Sequence, residues 1–188
     1  LVDGASISSV AGFGSTGDAG SVKINSIGLL SVRNNGQISS DIDSVGDAGS
    51  INIEAGELLV NGGENIGFAS ISSNANLGSQ GNAGTVKVSS KGLLTVLDGG
   101  VISSSTFAKG DAGLVSIEAG ELLVDGGGLD SFTGISSDTA SDGNAGTVAV
   151  SSKGLLTVHN GGVISSSTFG KGDAGGVNIK SGELLVEG

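Results

Sequence analysis

The side chains that could do chemistry are few, and their spacing works against a catalytic centre. His159 is the sole histidine and cysteine is absent. Neither a Ser–His nor a Cys–His pair can therefore be argued, and a thiolate metal site is ruled out. Asp41, Asp43 and Asp47 form the one local acidic cluster. Paired carboxylates could cleave a glycoside or polyuronate, but these three fall in a turn, and the Tyr and Trp platforms of a sugar-cleaving cleft are missing. They read as structural. Asp18, Asp47, Asp111 and Asp173 occupy equivalent places and could attract Ca²⁺ weakly. Asn82 and Asn144 interrupt that column, and the Ca²⁺-binding pattern Gly-Gly-x-Gly-x-Asp does not occur. No metal or other cofactor is expected, and no enzymatic activity. The glycine-rich stretches precede neither a helix nor a Gly-Lys-Ser/Thr, so they are not phosphate loops. Hydroxyls cluster at Ser72-Ser73, Ser103-Ser104-Ser105-Thr106, Ser136-Ser137 and Ser165-Ser166-Ser167-Thr168. A flat array of this kind could order water and bind ice. It is broken at every second repeat, however, and some of the hydroxyls should face inward as a ladder.

These residues sit in a chain that repeats itself. Gly-(Asp/Asn)-Ala-Gly starts at 17, 46, 81, 110, 143 and 172, at spacings of 29, 35, 29, 33 and 29. Self-similarity at this period is the signature of a stacked repeat architecture. Within Gly81–Lys109 lie three β-type runs, Thr85–Ser89, Leu93–Val96 and Val101–Ser105. They are bounded by Lys91-Gly92, Asp98-Gly99-Gly100 and Lys109-Gly110-Asp111. Period-two alternation with glycine punctuation predicts strands, and no segment carries a helical period with caps. Three strands and three turns make one triangular coil. Stacked about 4.8 Å apart with parallel strands, the six coils give a rod about 30 Å long. The Asp or Asn of each Gly-(Asp/Asn)-Ala-Gly is expected to bond a backbone N–H two residues on, as an Asx turn. The flanking glycines supply φ > 0.

The core follows from the columns. The first strand should turn inward Val22 and Ile24, then Ile51 and Ile53, Val86 and Val88, Val115 and Ile117, Val148 and Val150, Val177 and Ile179. The second supplies Leu30 and Val32, Leu58 and Val60, Leu94 and Val96, Leu122 and Val124, Leu156 and Val158, Leu184 and Val186. The third carries Ile7, Ile38, Ile71, Ile102, Ile135 and Ile164, each followed by Ser-Ser. A single coil cannot bury its own face, so the stack is obligatory.

A second-order repeat overlies the first. Coils starting at 17, 81 and 143 are short and those at 46 and 110 are long. Gly81–Lys109 and Gly143–Lys171 differ only at Lys87/Ala149, Leu97/His159, Asp98/Asn160 and Ala108/Gly170, so His159 reads as a surface substitution. The long coils carry inserts before Ile-Ser-Ser, at Glu64-Asn65-Ile66-Gly67-Phe68 and Leu129-Asp130-Ser131-Phe132. Each insert either bulges with its phenylalanine as a tip or folds that ring back over its own loop. The outward positions of the second strand alternate as well. Leu29, Leu59, Leu93, Leu123, Leu155 and Leu185 trace a zigzag of one outward leucine per coil. Solvated strands normally present polar residues, so this is a candidate contact face; covering by a neighbouring loop is the alternative. Lys91 and Lys153 lie near Glu57, Glu121 and Glu183, where exposed ladder salt bridges are expected to add little.

Composition bounds the partners. Glycine contributes 37 of 188 residues and proline none, without a Gly-x-y period, so neither collagen nor disorder fits. A net charge of −11 disfavours nucleic acid and anionic membranes. No apolar run approaches the roughly 20 residues needed to span a bilayer, and no signal peptide is expected within these residues. The chain opens and closes within a repeat, without initiator Met or capping repeat. Residues 1–188 are therefore expected to be one β-helix segment of a longer array.

The sentence Gly-Asn-Ala-Gly-Thr-Val-x-Val-Ser-Ser-x-Gly-Leu-Leu-Thr-Val-x-(Asp/Asn)-Gly-Gly-Val-Ile-Ser-Ser-Ser-Thr-Phe resembles repeats of filamentous-haemagglutinin-like exoproteins, the secreted partners of two-partner secretion systems. The resemblance runs over essentially the whole chain. It implies an all-β, right-handed parallel β-helix, secretion through an outer-membrane transporter to the cell surface, and a role in adhesion or biofilm. The expected function is the non-catalytic shaft of an extracellular fibrous adhesin: a spacer with repeated weak contacts to a host or neighbouring cell. A filament assembled end to end or side by side is the alternative. Ice-binding and polysaccharide-degrading β-helices stand further back.

Overall fold

The computed structural model describes residues 1–63, 67–128 and 131–188. Among them there is no helix, and every strand pairing is parallel. The chain winds as a β-solenoid, consistent with a right-handed β-helix. One sheet collects the first and second faces of the coils in 11 strands; the other stacks the third face in 6.

The expectation of three separate strands per coil holds in the later coils, as in Thr85–Ser90, Leu93–Leu97 and Gly100–Ser103. In the first two coils the first and second faces run on as single strands, Ser21–Arg33 and Ser50–Asn61. The bend between those faces is absorbed by a register shift between Ser26 and Leu29 rather than by a break. A fourth line of contact lies beyond the third face. Ala11, Ile42, Ala75, Thr106, Thr139 and Thr168 form a file of single bridges from coil to coil.

Register keeps like over like. Ile38 pairs with Ile71, Ile71 with Ile102, Ile102 with Ile135 and Ile135 with Ile164. The first four are completely buried, as are Val60, Val96 and Val124 on the second face and Val86 and Val115 on the first. Branched side chains stacked on a pleated surface fill a narrow core without aromatic residues. In the first and last coils the same columns have a neighbour on one side only, and Ile7, Val177, Ile179, Leu184 and Val186 are exposed.

The corner between the second and third faces explains the two coil lengths. In short coils it is a two-residue turn with φ > 0 at both positions: Asn34-Asn35, Asp98-Gly99 and Asn160-Gly161. Asn, Asp and Gly are the residues that tolerate this geometry. The N–H of Gly36 closes one such turn on the Arg33 carbonyl at 2.8 Å, and that of Gly162 another on His159 at 2.9 Å. Long coils place their extra residues at this same corner. The Glu64-Asn65-Ile66 and Leu129-Asp130 portions of the inserts lie outside the described residues.

The Gly-(Asp/Asn)-Ala-Gly corner differs from its sequence-based reading. Its Asx side chain does not close its own turn. Asp18 accepts the N–H of Asp47, Asp47 that of Asn82, Asn82 that of Asp111, Asp111 that of Asn144 and Asn144 that of Asp173, all at 2.7–2.9 Å. Each Asx thus reaches the equivalent residue of the next coil. An Asx turn and an inter-coil ladder demand the same residue type, so the sequence cannot separate them. The first glycine has φ between 138° and 153° at 46, 81, 110, 143 and 172. The last is required by close approach instead: a Cβ on Gly49, Gly84, Gly113, Gly146 or Gly175 would collide with the backbone of the coil beneath.

Candidate contact surfaces

The second serine of Ile-Ser-Ser turns inward. Ser40, Ser73, Ser104 and Ser137 are completely buried. With Ser166 they donate to the carbonyls of Gly20, Gly49, Gly84, Gly113 and Gly146 at 2.6–2.8 Å, tying the third face to the corner that opens the same coil. The first serines point outward yet are almost as covered: Ser72, Ser103 and Ser136 keep no more than 5% of their surface. In the middle coils these hydroxyls are thus held inside the stack.

The residues two past the first serine form another ladder. Asp41 accepts the Asn74 N–H at 2.7 Å and the Ser72 hydroxyl at 3.2 Å. Asn74 accepts the Ser105 N–H at 2.8 Å and the Ser103 hydroxyl at 3.1 Å. Asp138 accepts the Ser167 N–H at 2.7 Å and the Ser165 hydroxyl at 3.1 Å. Burial pushes the Asp41 carboxyl up to about 6; the Asn74 and Ser72 bonds pull the other way, and nearby Asp43 adds to the rise. Asp43 takes the Asn76 amide at 2.7 Å, and Asp47 belongs to the corner ladder. The three clustered carboxylates therefore address three separate partners along the stack. Among the described residues no group of three or more His, Cys, Asp or Glu is placed to hold a metal ion.

His159 stands directly over Asp125 in register, with Nε2 3.3 Å from Oδ2. Arg33 and Asp3 form an ion pair at 3.4 Å. The expected Lys91 and Lys153 bridges to Glu57, Glu121 and Glu183 are not formed. All five side chains are exposed, where water solvates a charge about as well as a partner does.

The leucine zigzag lies on the outer side of the second face. Register pairs Leu29 with Glu57 and Ser31 with Leu59; Thr95 lies between Leu59 and Leu123, and Leu185 follows Thr157. Leu29 is 56% exposed, Leu93 40% and Leu185 39%. Leu59, Leu123 and Leu155 are partly covered. Ser31 and Thr95 are buried between their leucine neighbours, at 7% and 8%. Leu59, Leu123 and Leu185 thus make one apolar file with the small residues between them, while in the neighbouring file Leu29, Leu93 and Leu155 alternate with the exposed Glu57, Glu121 and Glu183.

A second surface was not legible in the sequence. A trough of about 460 Å³ runs over the outer side of the third face. Phe68 and Phe132 wall it on the insert side; Phe107 and Phe169 wall it on the opposite side. Both insert phenylalanines lean inward over the strand rather than standing free. The Phe132 ring reaches within 3.3 Å of where a Cβ on Gly134 would sit, and Phe68 and Phe132 are 42% and 45% exposed. Phe13, by contrast, is 99% exposed. The four trough rings are 25 or more positions apart in the sequence, and only the coil stacking brings them together.

Comparison of the chain with protein-family models, with curated proteins and with solved structures finds no match.

Proposed function

We propose that this chain is shaft of an extracellular fibrous adhesin, a spacer whose outward face makes repeated weak contacts in cell attachment or biofilm. The observation that carries the reading is the register of the six leucines. One outward leucine is offered per coil, alternating between two neighbouring register positions along the stack. A single half-exposed leucine contributes little to binding. Many on one rigid rod gain by effective concentration, and many rods on one surface gain again. Secretion through an outer-membrane transporter and display at the cell surface belong to the same reading, which rests on the repeat's resemblance to two-partner exoproteins.

The test is retention under flow. Particles coated with the chain at graded density are passed over epithelial monolayers and over bacterial lawns. Retention should rise more steeply than coating density and fall several-fold when all six leucines become threonine. Linear dependence on density, with no effect of the substitutions, would overturn the reading.

The burial of Ser31 and Thr95 beside leucines favours a second reading, because an apolar file suits a second rod as well as a cell surface. In that case the chain is a filament that grows by lateral pairing, and association would be visible in solution without any cell.

A further inference from the structure

The trough on the third face carries features that a spacer does not need. Its walls alternate. Phe68 comes from the second coil, Phe107 from the third on the opposite side, Phe132 from the fourth on the first side and Phe169 from the fifth. One ring is met per coil, about every 4.8 Å, and the side changes at each step. Rings on the same side recur about every 10 Å.

The floor is polar. Asn74 and Asp138 occupy the same ladder position two coils apart and both line the trough. The Asn74 Oδ1 is fixed as an acceptor by the Ser105 N–H and the Ser103 hydroxyl, which leaves the amide hydrogens to face outward. Among the described residues they have no acceptor. The Asp138 carboxylate takes one hydroxyl and one N–H, so lone pairs remain for another donor. An acyl chain laid here would strand both groups without partners. No Lys or Arg lines the trough, and the chain carries a net charge of −11. Sulfated, phosphorylated and uronate polymers are therefore unfavoured.

We infer that the trough binds a neutral, extended, β-linked glycan. In such a ribbon successive sugar rings turn over, so each presents its C–H face to the opposite side from the last. The alternating phenylalanines meet that alternation ring by ring, as apolar faces in contact. The Asn74 amide donates to, and the Asp138 carboxylate accepts from, hydroxyls that repeat every two sugars. A trough of 460 Å³ lies within the usual range of small-ligand sites. The inference does not depend on the leucine strip, which lies on another face.

Calorimetric titration of the soluble chain tests it, with hexamers of β-1,4-linked glucose and of β-1,4-linked N-acetylglucosamine as probes. Binding by either should be saturable, and weaker by at least tenfold for the corresponding α-1,4-linked hexamer, which coils, and for an oligogalacturonate. Phe107→Ser with Phe169→Ser should weaken it at least tenfold while the circular dichroism of the strands is kept. Asp138→Asn should weaken it less, and Leu59→Thr should leave it unchanged. No saturable heat with either β-linked hexamer would overturn the inference, as would equal binding of the α-linked chain or tighter binding of decanoate. Loss of retention under flow in the six-leucine variant, with glycan binding intact, would separate the two surfaces.

Discussion

Gly113 donates its N–H to the carbonyl of Ser104 at 3.0 Å, while the Ser104 hydroxyl donates to the Gly84 carbonyl at 2.7 Å. The two residues clamp the third face to the next corner, and the same pair recurs as Gly49 with Ser40, Gly84 with Ser73 and Gly146 with Ser137. The clamp leaves no room for a side chain. A Cβ on Gly113 would meet the Gly84 carbonyl and the Ser104 hydroxyl at once. Gly113→Ala should therefore cost about 3 kcal/mol or more, because backbone must move. Gly28→Ala is the control. Nothing lies within 4 Å of its Cβ position, and its φ is not in the left-handed region. It should shift stability by less than about 1 kcal/mol, in the stabilising direction. Urea denaturation of both variants compares them.

Asp41 gives the stack a pH dependence of definite sign. Its carboxyl is raised from 3.8 to about 6 by burial, so the fold holds its proton more tightly than the unfolded chain does. The stability tied to this group is complete below about pH 4 and is lost as pH rises through 6, on the order of 3 kcal/mol. Asp41→Asn keeps acceptors for the Asn74 N–H and the Ser72 hydroxyl and has no charge to desolvate; Asn74 already fills the next place in the ladder. The variant should be more stable than the native chain at pH 7 and equal to it at pH 4. A stability difference independent of pH would contradict this.

The corner ladder predicts a salt-dependent penalty. Asn82 lies between Asp47 and Asp111, accepting from one coil and donating its amide to Asp47 at 3.2 Å. Asn82→Asp removes that donor and stacks carboxylates in four successive coils, at 18, 47, 82 and 111. The loss should be roughly 1 kcal/mol at low ionic strength and should shrink as salt is added. Thermal unfolding at 10 mM and 500 mM NaCl reads the difference.

The leucine strip predicts association that is apolar in origin. If rods pair through it, light scattering should rise with sulfate, which strengthens apolar burial. The rise should vanish on replacing Leu29, Leu59, Leu93, Leu123, Leu155 and Leu185 by Thr. Scattering unchanged by the replacements would place any association on another face.

What the sequence disclosed and what it hid follow from one property of stacked repeats. Columns that repeat with the coil, such as Ile38, Ile71, Ile102 and Ile135, are legible because periodicity alone sets inside from outside. The inward turn of Ser104 is legible in part, since a hydroxyl array on a β-helix cannot face outward everywhere. The destination of a side chain along the stack is not. Asp47 could bond its own turn or the N–H of Asn82 with equal chemical sense, and only the coil spacing decides. The phenylalanine trough was hidden for the same reason. Phe68 and Phe107 come from different corners of different coils, and no period in the sequence links them.

Both contact surfaces depend on outward side chains standing one above another from coil to coil. Lys23, Asn52, Lys87, Ser116, Ala149 and Asn178 form such an outward file on the first face, in unbroken register. The chain has no native cysteine, so spin labels can be placed at chosen pairs. Pulsed electron–electron distances should be measured for Lys23→Cys with Asn178→Cys, five steps apart, and for Lys87→Cys with Asn178→Cys, three steps apart. The first distance should centre near 24 Å and exceed the second by about 10 Å, both as narrow distributions. Broad distributions, or a first distance no longer than the second, would contradict the stacked shaft and the contact surfaces built on it.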